Sequence, residues 1–210
     1  MRYSAALLAS ASLAIATGAC AISSTAAGDG GGRLTIVQDL PDDVRAVLDP
    51  AWAAFLARFD GRRSCIADVE VVLVDHVEGG DARYVESAAM IEIEIPTTPA
   101  KFRESLVHEL AHHVERTCVE FGELRAELHA RFGLERPWSD GATWADIPAE
   151  RWAETVVQLV NGDRILHRSE MPLDRSVLDV VEAWGSGAAR WSDRADGAMS
   201  GSAGGITGGG

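Results

Sequence analysis

Phe102-Arg103-Glu104-Ser105-Leu106-Val107-His108-Glu109-Leu110-Ala111-His112-His113-Val114-Glu115-Arg116 runs without a Gly or Pro, and Pro99 stands just ahead of it. An unbroken run behind a proline predicts a helix. Val107, Leu110, Val114 and Cys118 recur at helical spacing and form its expected buried stripe. On such a helix His108 and His112, four apart, lie one above the other on the same face. Both imidazoles can then aim a nitrogen at one zinc ion, about 2.0–2.1 Å away. Glu109 sits one position round the helix. Its carboxylate can reach a water activated by the metal without capturing the metal, which is the placement of a general base.

A catalytic zinc takes three protein ligands and one water. One common arrangement finds the third in a histidine further along the same run. Here Glu115 stands where that pattern needs a glycine, and Cys118 where it needs the histidine. Cys118 also lies more than a turn beyond His112, on the buried stripe. A second candidate helix runs from Pro148 to Val160, with proline near its start, acidic residues in its first turns and Asn161-Gly162 as a stop. Glu150 and Glu154 are four apart and project from one face of it. Paired glutamates are also what a solvated helix face carries, and Glu135, Asp140 and Asp146 are further carboxylates that could close the site.

These segments resemble the gluzincin metallopeptidases, zinc enzymes with a His-Glu-x-x-His helix and a glutamate ligand from a later helix. The resemblance rests on His108, Glu109, His112 and Glu150-Arg151-Trp152-Ala153-Glu154, and it spans roughly residues 82 to 160. It implies an α+β, zincin-like domain with a small mixed sheet, a zinc helix and a following glutamate-bearing helix. It implies Zn2+ as cofactor, Glu150 as third ligand, and Glu154 as acceptor for the free N–H of His108, with Glu154 the other choice of ligand. Carboxylates in that outer position fix the tautomer and orientation of a ligating imidazole. The chain departs from the pattern at one point. Where some members place a tyrosine before the glutamate helix, this sequence has Trp138, Thr143 and Trp144, and beyond the leader its tyrosine is Tyr84. Stabilisation of an oxyanion is therefore unassigned, with Arg151, His113, His129 and His167 the polar residues at hand.

Ala82–Val85 and Met90–Ile95 read as short strands. In the second, Ile91, Ile93 and Ile95 alternate with Glu92 and Glu94, the period of a half-buried strand, and Pro96 ends it. The resemblance implies an edge strand ahead of the zinc helix that lines the cleft and pairs with an extended peptide. Glu92 and Glu94 equally suit a solvent face that discourages edge-to-edge association. Val69–Val74 reads as a buried strand. Asp42–Phe59 reads as an amphipathic helix with Val44, Val47, Leu48, Trp52, Phe55 and Phe59 inward, and Glu120–Arg131 and Leu173–Trp184 as further helices. Trp52, Trp138, Trp144, Trp152 and Trp184 are expected in the core or the cleft walls.

Arg2, an apolar stretch from Ala5 to Ala16 and then small residues define a secretory leader rather than a membrane span. Thr17-Gly18-Ala19-Cys20 fits a lipoprotein leader of residues 1–19 with lipidation at Cys20, although Thr17 departs from the usual apolar residue. Cleavage after Ala27, giving a leader of 1–27, is the alternative. Cys65 and Cys118 then remain, and an oxidising compartment would favour their pairing over two free buried thiols. Residues 20–33 read as a flexible tether, 34–184 as one folded domain, and 185–210, rich in Gly, Ser and Ala, as a disordered tail.

The net charge is −13, and −14 once Arg2 is lost with the leader. That argues against nucleic acid and against electrostatic attachment to anionic lipid, leaving an N-terminal lipid anchor as the expected route to a membrane. The expectation is an exported zinc metallopeptidase, secreted or held at the cell surface, acting on a peptide or protein. The alternative is a non-catalytic cell-surface lipoprotein that binds metal or peptide on the same fold. Glu109 discriminates, because a pure metal binder needs no acid there. A structural zinc site would instead use four protein ligands rich in cysteine.

Overall fold

A computed structural model of the protein describes residues 30–36, 38–133, 136–162, 164, 171 and 173–188. The leader with Cys20, most of the expected tether, Glu135, His167 and the tail from 189 onward lie outside the described residues. The order is β1 (Leu34–Ile36), α1 (Asp42–Arg58), β2 (Val69–Val74), β3 (Ala82–Val85), β4 (Met90–Glu94), α2 (Pro99–Thr117), α3 (Phe121–Phe132), α4 (Pro148–Asn161) and α5 (Arg175–Gly185). Short 3-10 turns fall at Asp60–Cys65, Glu86–Ala88 and Trp144–Asp146. The architecture is α+β around a small mixed sheet.

The strands lie in the order β1-β2-β4-β3, with β1, β2 and β4 parallel and β3 antiparallel to β4. Register follows the two-residue alternation. Val71 pairs with Ile91, Leu73 with Ile93, and Tyr84 with Ile91, so these side chains share one face. Val71, Ile91 and Ile93 on that face are at most 1 % exposed. Slipping β4 by one residue would carry Glu92 and Glu94 onto it, which fixes the pairing.

Two expectations change here. The strand ahead of α2 (Pro99–Thr117), the helix with His108 and His112, is β4, and it is an interior strand; the sheet edge beside the helix is β3. Glu92 and Glu94 are accordingly not edge charges. Glu92 accepts from Arg83 Nε at 2.6 Å, and Glu94 accepts from the Val77 N–H at 2.8 Å. That backbone donor, with His76 behind it, lowers the Glu94 carboxyl below its ordinary value despite the opposing effect of burial and of Asp81.

Helix α2 begins as its sequence demands. The Thr98 hydroxyl accepts from the Lys101 N–H at 3.2 Å and Pro99 occupies the first turn. Its stripe of Val107, Leu110 and Val114 is fully buried, and the helix packs against α1, α4, β3 and β4. Helix α4 is pinned to it by Trp152, whose indole N–H donates to the Ala111 carbonyl at 3.1 Å. Behind them Phe59, Phe121, Trp152 and Trp184 meet edge-on or tilted, with centroids 4.9–6.2 Å apart. No described helix is long and apolar enough to cross a membrane.

The domain extends past both expected boundaries. The Gly32 N–H donates to the Ile66 carbonyl at 2.8 Å, and a Cβ on Gly32 would sit 2.0 Å from the Ala67 oxygen. The last residues of the expected tether are therefore packed structure. At the other end Gly187, at φ +71°, lies against Gly61, where a Cβ would come within 2.2 Å of the Gly187 nitrogen. Residues 185–188 thus belong to the domain and not to a disordered tail.

The sulfurs of Cys65 and Cys118 lie 1.92 Å apart, at bonding distance, across a separation of 53 residues. Closing a loop of that length is worth about 4 kcal/mol in the chain-entropy model, an upper value. Reduction, or Cys65→Ser with Cys118→Ser, is expected to lower unfolding stability by about 2–4 kcal/mol. The urea midpoint with and without reductant measures this; coincident curves would refute the bridge.

Candidate metal centre

Helices α2 and α4 face each other, and their packing brings together side chains that the sequence separates by 38 positions or more. His108 Nε2 lies 3.3 Å from His112 Nε2 and 3.0 Å from Glu150 Oε2, and His112 Nε2 lies 3.7 Å from Glu150 Oε1. Ligands at about 2.0–2.1 Å around a tetrahedral ion stand about 3.3–3.4 Å from one another. His108, His112 and Glu150 therefore form a group that could hold a metal ion.

The donor chemistry agrees. His108 Nδ1 is 3.0 Å from Glu154 Oε1, and a carboxylate only accepts, so the proton sits on Nδ1. Nε2 in turn lies 3.0 Å from Glu150 Oε2, so without a cation it must also carry a proton, and only a cation at the centre would free its lone pair. Such a convergence of acceptors needs positive charge among them. The imidazoles register that demand as raised basicity. Burial alone would push His108 down, but its hydrogen bonds with Glu150 and Glu154 outweigh it and raise the ring above its ordinary value. Burial likewise opposes the charge on His112, yet Glu115 and Glu150 lift it to about 10. Glu150 shows the reverse: burial would raise its carboxyl, but hydrogen bonds with both histidines hold it far below the usual range.

An outer layer of polar groups steadies the three. Glu154, wholly buried, reaches His108 with one oxygen and Arg164 Nη1 at 3.4 Å with the other, while Arg164 Nη2 donates to the Met171 carbonyl. Glu115, three residues after His112 and 4 % exposed, approaches His112 Nδ1 at 3.5 Å. Burial would raise the Glu115 carboxyl, but His112 and Arg116 keep it lowered. In sequence Glu115 reads only as the glycine that is not there. Its one-turn spacing from His112 was the available signal. Arg164 carries no such signal, because it lies beyond the end of α4 and its contact with Glu154 is not set by helical spacing.

His108, His112 and Glu150 line a cleft of about 580 Å³, with Glu115, Glu154 and Arg164 behind its wall. Glu109 is on its wall beside the two histidines, as are Tyr84 from the edge strand and Trp144 from the turn before α4. Glu104 and Ser105, one turn upstream of His108 and Glu109, are nearly buried and also reach the cleft. Their i−4 spacing on α2 marks them in retrospect.

Other expected residues lie elsewhere. Asp146 closes the turn at Thr143, and Asp140 is exposed and away from the cleft. The Cys118 sulfur is engaged with Cys65. Arg151 donates to the Ala145 carbonyl at 2.8 Å, and His129 bonds the Arg136 carbonyl. His113 is fully buried; its Nε2–H donates to the Ala67 carbonyl at 3.0 Å and its Nδ1 accepts from the Tyr84 hydroxyl at 3.1 Å. Burial lowers the His113 ring below its ordinary value and keeps it neutral. Compared with known protein families, curated proteins and solved structures, the chain matches none.

Glu154→Gln keeps the shape and one acceptor but removes the charge behind His108. Metal affinity is expected to fall about 10- to 100-fold, as for other outer-layer partners of ligating histidines. Chelator competition against the parent reads it; unchanged affinity would show that Glu154 does not tune the site.

Proposed function

We propose that the protein is an exported zinc metallopeptidase with a zincin-like fold, secreted or anchored through Cys20. The observation that carries this reading is the convergence of two imidazole nitrogens and one carboxylate at 3.0–3.7 Å, inside a cleft whose wall also holds Glu109. His108, His112 and Glu150 hold the ion, three protein ligands as in catalytic zinc sites. When bound, zinc supplies Lewis-acid polarisation of the scissile carbonyl and makes water acidic enough to attack near neutral pH.

The chain's own residues do the rest. Glu109 accepts the proton of the attacking water and hands it to the leaving amine. Glu154, backed by Arg164, keeps the His108 proton on Nδ1, so Nε2 stays available to the metal. Among the described residues the outer edge of β3 pairs with no strand, so an extended peptide can add there as a further strand and bind with little demand on its sequence.

Zinc content and cleavage of a mixed peptide library, measured on the purified chain before and after chelation, test the proposal. About one zinc per chain and cleavage abolished by the chelator are expected. Stoichiometric zinc without cleavage of any peptide or protein offered would move the reading to a binding protein; absence of zinc would overturn the ligand set.

A further inference from the structure

Trp144 touches two of the three residues of the centre. Its indole N–H donates to Glu150 Oε2 at 2.8 Å. Its ring lies over His108, with centroids 6.1 Å apart and planes 23° apart. An indole has a single donor, and this one is spent on a carboxylate oxygen already 3.0 Å from His108 Nε2. The turn that presents it is closed on itself. The Thr143 N–H and hydroxyl both donate to Asp146 Oδ2, at 3.2 and 2.9 Å. Arg151 Nε reaches back from α4 to the Ala145 carbonyl at 2.8 Å. A Cβ on Gly141 would come within 2.8 Å of the Ile147 nitrogen, so the strand of chain entering the turn is pressed against the start of α4. The backbone that carries the indole and the helix that carries Glu150 are thus one packed unit.

A hydrogen bond to one oxygen of a carboxylate fixes the plane of the group and draws charge from that oxygen. A cation chelated by both oxygens needs the two to be equally available, and a donor seated on Oε2 removes that equality. We propose that Trp144 is a positioning residue of the centre: its indole holds Glu150 to one-oxygen binding and keeps a fourth position open beside the two histidines. The inference rests on the reading of His108, His112 and Glu150 as the ligand set. An open fourth position is what distinguishes a catalytic site from a closed one, so the indole sets the character of the site without touching the metal.

Cobalt(II) added to the metal-free 210-residue chain tests this, because its visible bands are strong in four-coordinate sites and weaken as coordination rises. The parent is expected to show strong bands. Trp144→Phe keeps a ring over His108 and removes the donor. It is expected to show roughly half the absorption per bound cobalt or less, as the freed carboxylate chelates and raises the coordination number. Metal-free unfolding midpoints of parent and variant separate this from a folding defect, and the parent's own spectrum tests the claim without any substitution. Identical spectra in parent and variant overturn the clamp. Weak bands in the parent also overturn it, while leaving the ligand set standing. No cobalt uptake by the parent overturns both.

Discussion

On the proposed reading, Glu109→Gln is expected to match the parent in zinc uptake and to lose about 100- to 10,000-fold in peptide hydrolysis, the usual contribution of a positioned general base. The substitution is nearly isosteric. It leaves His108, His112 and Glu150 untouched and replaces a proton acceptor with a group that cannot accept one at neutral pH. Glu109 is only 6 % exposed and lies on the cleft wall, so the glutamine has little room to rearrange. Metal analysis beside kcat/KM on one good peptide decides the matter. Full cleavage by the variant would sink the general-base assignment, and loss of zinc would show that Glu109 belongs to the ligand set instead.

The largest expected loss of stability is at Trp152. Its side chain is fully buried, with Phe121 at 4.9 Å and Phe59 and Trp184 beyond, and its N–H is spent on the Ala111 carbonyl. Trp152→Ala removes the aromatic volume and leaves a cavity where α4 meets α2, at a cost of about 3–5 kcal/mol. Against a typical total of about 5–15 kcal/mol, that is enough to unfold a marginal domain. Trp152→Phe keeps most of the packing and isolates the lost hydrogen bond, worth about 1 kcal/mol. Urea unfolding of both variants checks the ranking. A shift below about 0.5 kcal/mol for the alanine variant would place Trp152 among ordinary surface substitutions and refute its role as the pin between the two helices.

The parts of this arrangement that were legible in the sequence are the ones that depend on local periodicity. Four-residue spacing put His108 with His112 and Glu150 with Glu154, and the alternation of Ile91 and Ile93 with Glu92 and Glu94 marked a strand. Pairing partners are non-local, however, and alternation alone does not separate an interior strand from an edge one. Thus β4 was expected at the edge that β3 occupies. Trp144 could be foreseen as a cleft wall but not as the donor to Glu150, because that contact depends on how the short turn Trp144–Asp146 folds back onto α4. Glu115 carried a local signal, one turn past His112 on α2, whereas Arg164 reaches the site through packing; Gly32 and Gly187 looked like linker only because close backbone approach leaves no mark on composition.

The bridge between Cys65 and Cys118 has a topological consequence. It makes residues 65–118 a covalent ring that contains β2, β3, β4 and α2, with both histidines and Glu109, while α4 and its glutamates lie outside. The exposed turn at Glu78, Gly79 and Gly80 lies within that ring, on the rim of the cleft. A single backbone cut there opens the ring but releases no fragment, since each new end remains tied through a sulfur to the rest of the chain. In surroundings rich in proteases, the rim could be nicked while the edge strand and the helix it faces stayed on one connected molecule.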